Sequence, residues 1–145
     1  MFNLINLFKL SRLKMTKNLI PIILVLFCFF LSAENKWQKV FSGSGNIDFY
    51  FDLDSLSINQ EKRLIKIMIN YQKKNIHGDL STIVNREINC NEMMYKDLKQ
   101  EFFKLNFGKG TQSRGSGVVN NPKWKYFPPG SSGGELIKII CKIEK

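Results

Sequence analysis

Two cysteines, Cys90 and Cys141, constrain this chain more than any other feature, because both lie in the part that remains once an export signal is removed. Arg12, Lys14 and Lys17 precede an apolar run over residues 19–31, interrupted only by Pro21, and the small residues Ser32 and Ala33 close it. A positive start, an apolar centre and a small-residue end form the pattern of a secretory signal peptide. Thirteen residues of apolar helix reach about 20 Å, against roughly 30 Å of bilayer hydrocarbon, which favours a cleaved signal over residues 1–33 rather than a permanent anchor. Residues before Met15 add only a second, weaker apolar patch, so translation starting at Met15 would give the same signal. Cys28 follows Leu26 and Phe27, where a lipid-modified cysteine would want small residues, and it reads as one more hydrophobe of the signal. Outside the cytoplasm the environment is oxidising, and a lone cysteine pair in a small exported domain reads as a disulfide rather than a metal or redox site.

Residues 34–145 then form one domain, long enough for a single modest core and too short for two. It carries 18 basic and 12 acidic residues. Such a surplus is compatible with an anionic partner such as lipid head groups or glycans. A general bias toward Lys, Asn and Ile accounts for it better. Arginine, which grips phosphate in bidentate fashion, occurs in this part only at Arg63, Arg86 and Arg114, and no run of five basic residues exists; nucleic acid is therefore not an expected partner.

The period along the domain is mostly two. Strands are predicted over residues 37–41, 47–53, 64–71 and 81–90, separated by turns at residues 42–46, 59–62 and 73–79. Ile65, Ile67, Ile69 and Tyr71 give one strand a fully apolar face. On the next strand Val84, Ile88 and Cys90 share a face that Arg86 interrupts. Residues 93–107 suit a further long strand, although Met94, Leu98 and Phe102 also fit a helix. Residues 108–121 hold four glycines and no apolar periodicity, the pattern of an exposed loop. Trp124, Tyr126 and Phe127 suggest a short aromatic strand stopped by Pro128-Pro129-Gly130. The last segment alternates like a strand yet also fits a helix, and a capping box of Ser132 with Glu135 decides for a helix over residues 132–143 with Cys141 at the edge of its buried face. The expected fold class is α+β: an antiparallel sheet of five to six strands covered by a C-terminal helix. A Cys90–Cys141 bond would close a loop of about 50 residues, contributing up to roughly 4 kcal/mol in the chain-entropy account.

The succession Trp37-Gln38-Lys39-Val40, Phe49-Tyr50-Phe51-Asp52-Leu53-Asp54-Ser55-Leu56, Glu87-Ile88-Asn89-Cys90, Trp124-Lys125-Tyr126-Phe127-Pro128-Pro129-Gly130-Ser131, Glu135-Leu136 and Cys141 resembles the surface-adhesin protein E-like family. The resemblance spans nearly the whole exported part and lies in the order and spacing of short motifs. It implies a small exported bacterial domain with an antiparallel sheet, a C-terminal helix and a sheet-to-helix disulfide. It also implies a surface or periplasmic binding role, in the best known cases adhesion to host matrix proteins. The lipid-attachment cysteine of an outer-membrane adhesin has no counterpart here, and residues 108–121 match no family motif.

Competing chemistries fail on residue types. Asp52-Leu53-Asp54 begins like a calcium loop, but Leu56, Ser57 and Arg63 stand where a ligand, the turn glycine and the bidentate glutamate are needed. The glycines of residues 108–117 lack the phosphate-loop spacing and the helix that must follow. His77 is the only histidine, too few imidazoles for a zinc site with the cysteines bonded, and no strand-Ser-helix elbow supports a catalytic triad. Catalytic residues, metals and cofactors are accordingly not expected. The candidate binding surface is Trp124 and Tyr126 with Lys123 and Lys125, provided that these aromatics are exposed rather than core. The expected function is an exported, non-catalytic binding module for a protein or matrix ligand, at the periplasm or outer surface, touching the membrane only through its signal. The alternative is a periplasmic structural or accessory domain, partner-binding or inhibitor-like, although a lysozyme inhibitor should be acidic to meet its basic enzyme. Free strand edges leave homodimerisation open.

Overall fold

Alternation of apolar and polar side chains builds six strands, each hydrogen-bonded to the next in sequence: β1 (Trp37–Gly43), β2 (Ile47–Asn59), β3 (Lys62–Tyr71), β4 (Ser81–Asn89), β5 (Met94–Phe103) and β6 (Gly117–Val118). All pairs are antiparallel. One helix follows, α1 (Ser132–Cys141). The computed structural model describes residues 36–144; the export-signal reading of residues 1–33 lies outside the described residues.

The register sorts side chains into two unlike faces, because successive residues of a strand point to opposite sides. One face carries Phe49, Phe51, Ile65, Ile67 and Ile88, and α1 lays Leu136, Ile137 and Ile140 onto it, all fully or nearly fully buried. The helix starts beside the β1–β2 turn, where the Ser44 N–H donates to Ser132 Oγ at 3.2 Å, and it ends at β4, where Cys90 and Cys141 are bonded. It thus crosses the sheet from one end to the other. The disulfide joins sheet to helix as expected.

The helix start differs by one residue from the capping box expected of Ser132 and Glu135. Ser131 is the N-cap, its hydroxyl accepting the Gly134 N–H at 3.2 Å. The physical reason is the Pro128-Pro129-Gly130 turn: Gly130 takes a left-handed φ of 71°, which leaves Ser131 extended, the backbone state that a cap requires. Residues 124–127 do not form a strand either. Only Lys125 makes a bridge, to Tyr95.

The opposite face is not simply solvated. The register sets Tyr50, Met68 and Ile83 in one row, and Met68 is fully buried. Its cover is the segment after β5: residues 104–107, expected to continue the strand over residues 93–107, and the first residues of the 108–121 stretch expected as an exposed loop. Phe107 meets Tyr50 edge-on at 5.4 Å, its N–H donates to Asn70 Oδ1 at 2.9 Å, and the Gly108 N–H donates to Ser81 Oγ at 3.0 Å. Gly108 packs so closely on Ile83 that a Cβ there would lie 2.8 Å from its terminal carbon. Further along, Ser113 donates to Asp79 Oδ1 and the Lys104 ammonium reaches the same oxygen at 2.7 Å. The returning chain also seals the outer edge of β5, through bridges and ladder contacts at Gln112, β6 and Lys125.

Removing the crosslink with Cys90→Ser and Cys141→Ser should lower stability by about 3–4 kcal/mol, read as a shifted urea midpoint; an unchanged midpoint would contradict a structural role for the bond. Acid should loosen the loop first. The Lys104 ammonium, and then the Ser113 hydroxyl, hold the Asp79 carboxyl below its usual range. A carboxyl whose pKa is depressed on folding contributes stability above its unfolded value that is lost as pH falls through the folded one. Amide protection in residues 104–116 should therefore decline below about pH 4, and Asp79→Asn should remove that pH dependence in hydrogen-exchange measurements.

Candidate functional site

The arginine that interrupts the apolar face of β4 has a partner in the neighbouring strand. Across the first half of the β4–β5 pair, Asn85 opposes Lys99; a register shift then sets Arg86 opposite Asp97, leaving Leu98 as the extra residue. Without that bulge, Leu98 would stand opposite the guanidinium. Arg86 donates from Nε to Asp97 Oδ1 at 2.6 Å and from Nη2 to Oδ2 at 3.1 Å, and Gln100 Nε2 adds a bond to Oδ2 at 2.8 Å. Both charged side chains are nine-tenths buried. Bidentate geometry is what makes a buried pair tolerable.

Aromatic rings close over the pair. The Arg86 guanidinium lies 4.3 Å from the Tyr95 ring centre and 5.1 Å from that of Phe127. The two rings stack on each other at 4.0 Å. Burial pushes the Tyr95 hydroxyl pKa up, more than the Arg86 charge lowers it. Phe127 reaches this place because Lys125 pairs with Tyr95 through both backbone groups, at 2.9 and 2.8 Å. On the other side of Phe127 the first turn of α1 packs so tightly that a Cβ on Gly133 would lie 2.3 Å from the ring. Only glycine admits that approach.

This construction leaves a groove of about 310 Å³ between α1 and residues 126–130, lined by Met93, Tyr126, Pro128, Pro129, Ile137 and Lys138. Tyr126 stands on its rim, 66% exposed. Trp124 is half-buried, its ring carrying the Lys96 ammonium at 4.6 Å. Lys123 and Lys125 are exposed. Of the aromatic pair expected from sequence, Tyr126 presents its ring to solvent and Trp124 already has a cation over it. The groove thus offers apolar walls, one free phenol and the ion pair of Lys138 with Glu135, suited to grip a side chain of a protein ligand.

A second, wider cleft of about 580 Å³ lies over Phe102, between His77, Asp79, Lys104 and Arg114. It contains a serine, an aspartate and the histidine, but not in a nucleophilic order. Ser113 donates straight to Asp79, whose basicity the Lys104 ammonium further reduces, and His77 contributes its backbone carbonyl to Lys104 at 2.9 Å. A serine held this way is not activated. Asp52 and Asp54 lie on β2, and among the described residues no three His, Cys, Asp or Glu side chains converge on a common point.

Sequence reasoning missed Met93 and the Arg86–Asp97 pair. The signal was present in part: a charge on an apolar strand face must be paired, and β5 is the next strand in line.

A sequence model of the surface-adhesin protein E family matches residues 37–142. Among solved structures, crystal form II of Haemophilus influenzae protein E superposes with a TM-score of 0.55 at 14% identity, covering 74% of this chain and 88% of that one. Protein E from non-typeable Haemophilus influenzae gives 0.52 at 14% identity, with 71% and 74% covered. No curated protein matches the sequence. At such identity the superpositions speak for the fold: a six-stranded antiparallel sheet, a C-terminal helix and a disulfide between them.

Arg86→Met should strand the Asp97 carboxylate in the interior at a cost of about 3–5 kcal/mol, whereas adding Asp97→Leu should recover most of that loss. Urea denaturation of the single and double variants tests this; equal losses in both would mean that the pair is held for another reason.

Proposed function

Because the chain belongs to the surface-adhesin protein E family, we propose that it acts as an exported, non-catalytic binding module that adheres to host matrix proteins, with residues 1–33 serving as its export signal. The observation that carries this reading furthest is the exposed Tyr126 on a rigid rim. A phenol at the mouth of an apolar groove, fixed by proline on one side and by a backbone bridge on the other, loses little further freedom on binding, and aromatic anchors in such settings dominate protein interfaces. Lys123 and Lys125 beside it would steer a partner bearing carboxylates. Trp124, two residues before Tyr126, is held by the Lys96 ammonium over its ring.

Tyr126→Ala should weaken binding to immobilised basement-membrane matrix by about tenfold or more while leaving the thermal midpoint unchanged, since the side chain is exposed. Intact cells should lose the domain to external protease. Protection from protease together with a stable periplasmic partner would replace the adhesin reading with that of an accessory domain.

A further inference from the structure

The charge of the domain is gathered at one end of the sheet. The antiparallel meander brings the β3–β4 connection and the chain after β5 to the same end, and there they are tied together: Lys104 Nζ donates to the His77 carbonyl at 2.9 Å and Asn106 Nδ2 to the Tyr71 carbonyl at 3.1 Å. Residues 72–79 and 104–116 hold five cations, Lys73, Lys74, Lys104, Lys109 and Arg114, against one carboxylate, Asp79. Asp79 is spent on Lys104. The other four are exposed, and none has an ion-pair partner among the described residues. Elsewhere the balance is close, since the whole of residues 36–144 carries 17 basic against 11 acidic side chains.

The same end also carries exposed hydrophobes. Ile76 is 95% exposed, Leu105 53% and Phe107 43%, three of the six large apolar side chains that the described surface leaves open. Ile76 is not a loose tip. Asn75 Oδ1 accepts the N–H groups of His77 and Asp79 at 2.9 and 3.0 Å, and the Gly78 N–H returns to the Asn75 carbonyl at 2.9 Å. The turn is built to hold an isoleucine out in water, which costs free energy unless something apolar receives it.

We infer that this end of the sheet docks on a membrane surface carrying anionic phospholipids, with Lys73, Lys74, Lys109 and Arg114 at the phosphate level and Ile76, Leu105 and Phe107 entering the boundary of the acyl chains. Charge complementarity selects the occupant. A polyanionic glycan would satisfy the cations but gain nothing from Ile76, whereas a leaflet receives both kinds of side chain at once, and stable surface attachment ordinarily takes two such signals. The docking face is separate from Tyr126 and its groove, so a membrane-bound molecule keeps its adhesive rim free.

The test uses the protein exported by cells that express the full chain, sedimented with vesicles of phosphatidylcholine alone or mixed with phosphatidylglycerol. Binding should require phosphatidylglycerol and weaken with salt. Lys73→Ala with Lys74→Ala should reduce it on the order of 25-fold, at about fivefold per cation, and Ile76→Ser by about tenfold. Tyr126→Ala should leave it unchanged, which separates this inference from the adhesive one. Thermal midpoints of all variants should match, because every altered side chain is exposed. Equal binding to both vesicle types, binding indifferent to Ile76→Ser, or retention on heparin without vesicle binding would each overturn it, the last by assigning the cations to a glycan.

Discussion

A guanidinium placed inside an apolar face organises this domain. Arg86 cannot be left unpaired there without a large desolvation penalty. Asp97 is delivered opposite it by a one-residue bulge, Gln100 adds a further hydrogen bond to the same carboxylate, and the rings of Tyr95 and Phe127 lie beside the guanidinium. Each demand fixes another piece of chain. Phe127 must lie on Tyr95, so residues 122–127 must run along β5; the chain must then turn at once to start α1, and Gly133 must be bare for the helix to pass. The rim that presents Tyr126 is the outer surface of this arrangement.

The parts of the fold that obey a single period were legible in the amino-acid order. Ile65, Ile67 and Ile69 alternate because one side of β3 meets α1, and the pairing of Cys90 with Cys141 followed from compartment. What could not be read came from contacts whose partners are far apart in sequence. Met68 and Ile83 sit on a face that also carries Lys66 and Glu87, so nothing local shows that Phe107 will cover it. Ser131 displaced Ser132 as the cap because Gly130 set the backbone before it. The strand expected at residues 124–127 failed because pairing there is limited to Lys125, the neighbouring residues being drawn toward Lys96 and α1.

The candidate site was legible only as composition. Trp124, Tyr126, Lys123 and Lys125 form a conspicuous string, yet alternate roles within it depend on Lys96, which is 28 positions upstream of Trp124 in sequence and above its ring in space. The basic end of the sheet was invisible for a related reason. Its cations are scattered over two segments about thirty residues apart, and only the meander gathers them.

The Cys90–Cys141 bond also has a topological consequence. The intervening segment contains β5, the loop over the second face, the aromatic rim and nearly all of α1, which is to say every surface assigned a binding role except the Ile76 turn. A single proteolytic cut anywhere between the two cysteines therefore releases nothing: the pieces stay covalently joined, and the stacked rings and the ion pair continue to hold them in place. A molecule clipped between the two cysteines would migrate as an intact one until its disulfide was reduced, so a cut there would be hard to recognise, whereas a cut before Cys90 would separate the chain.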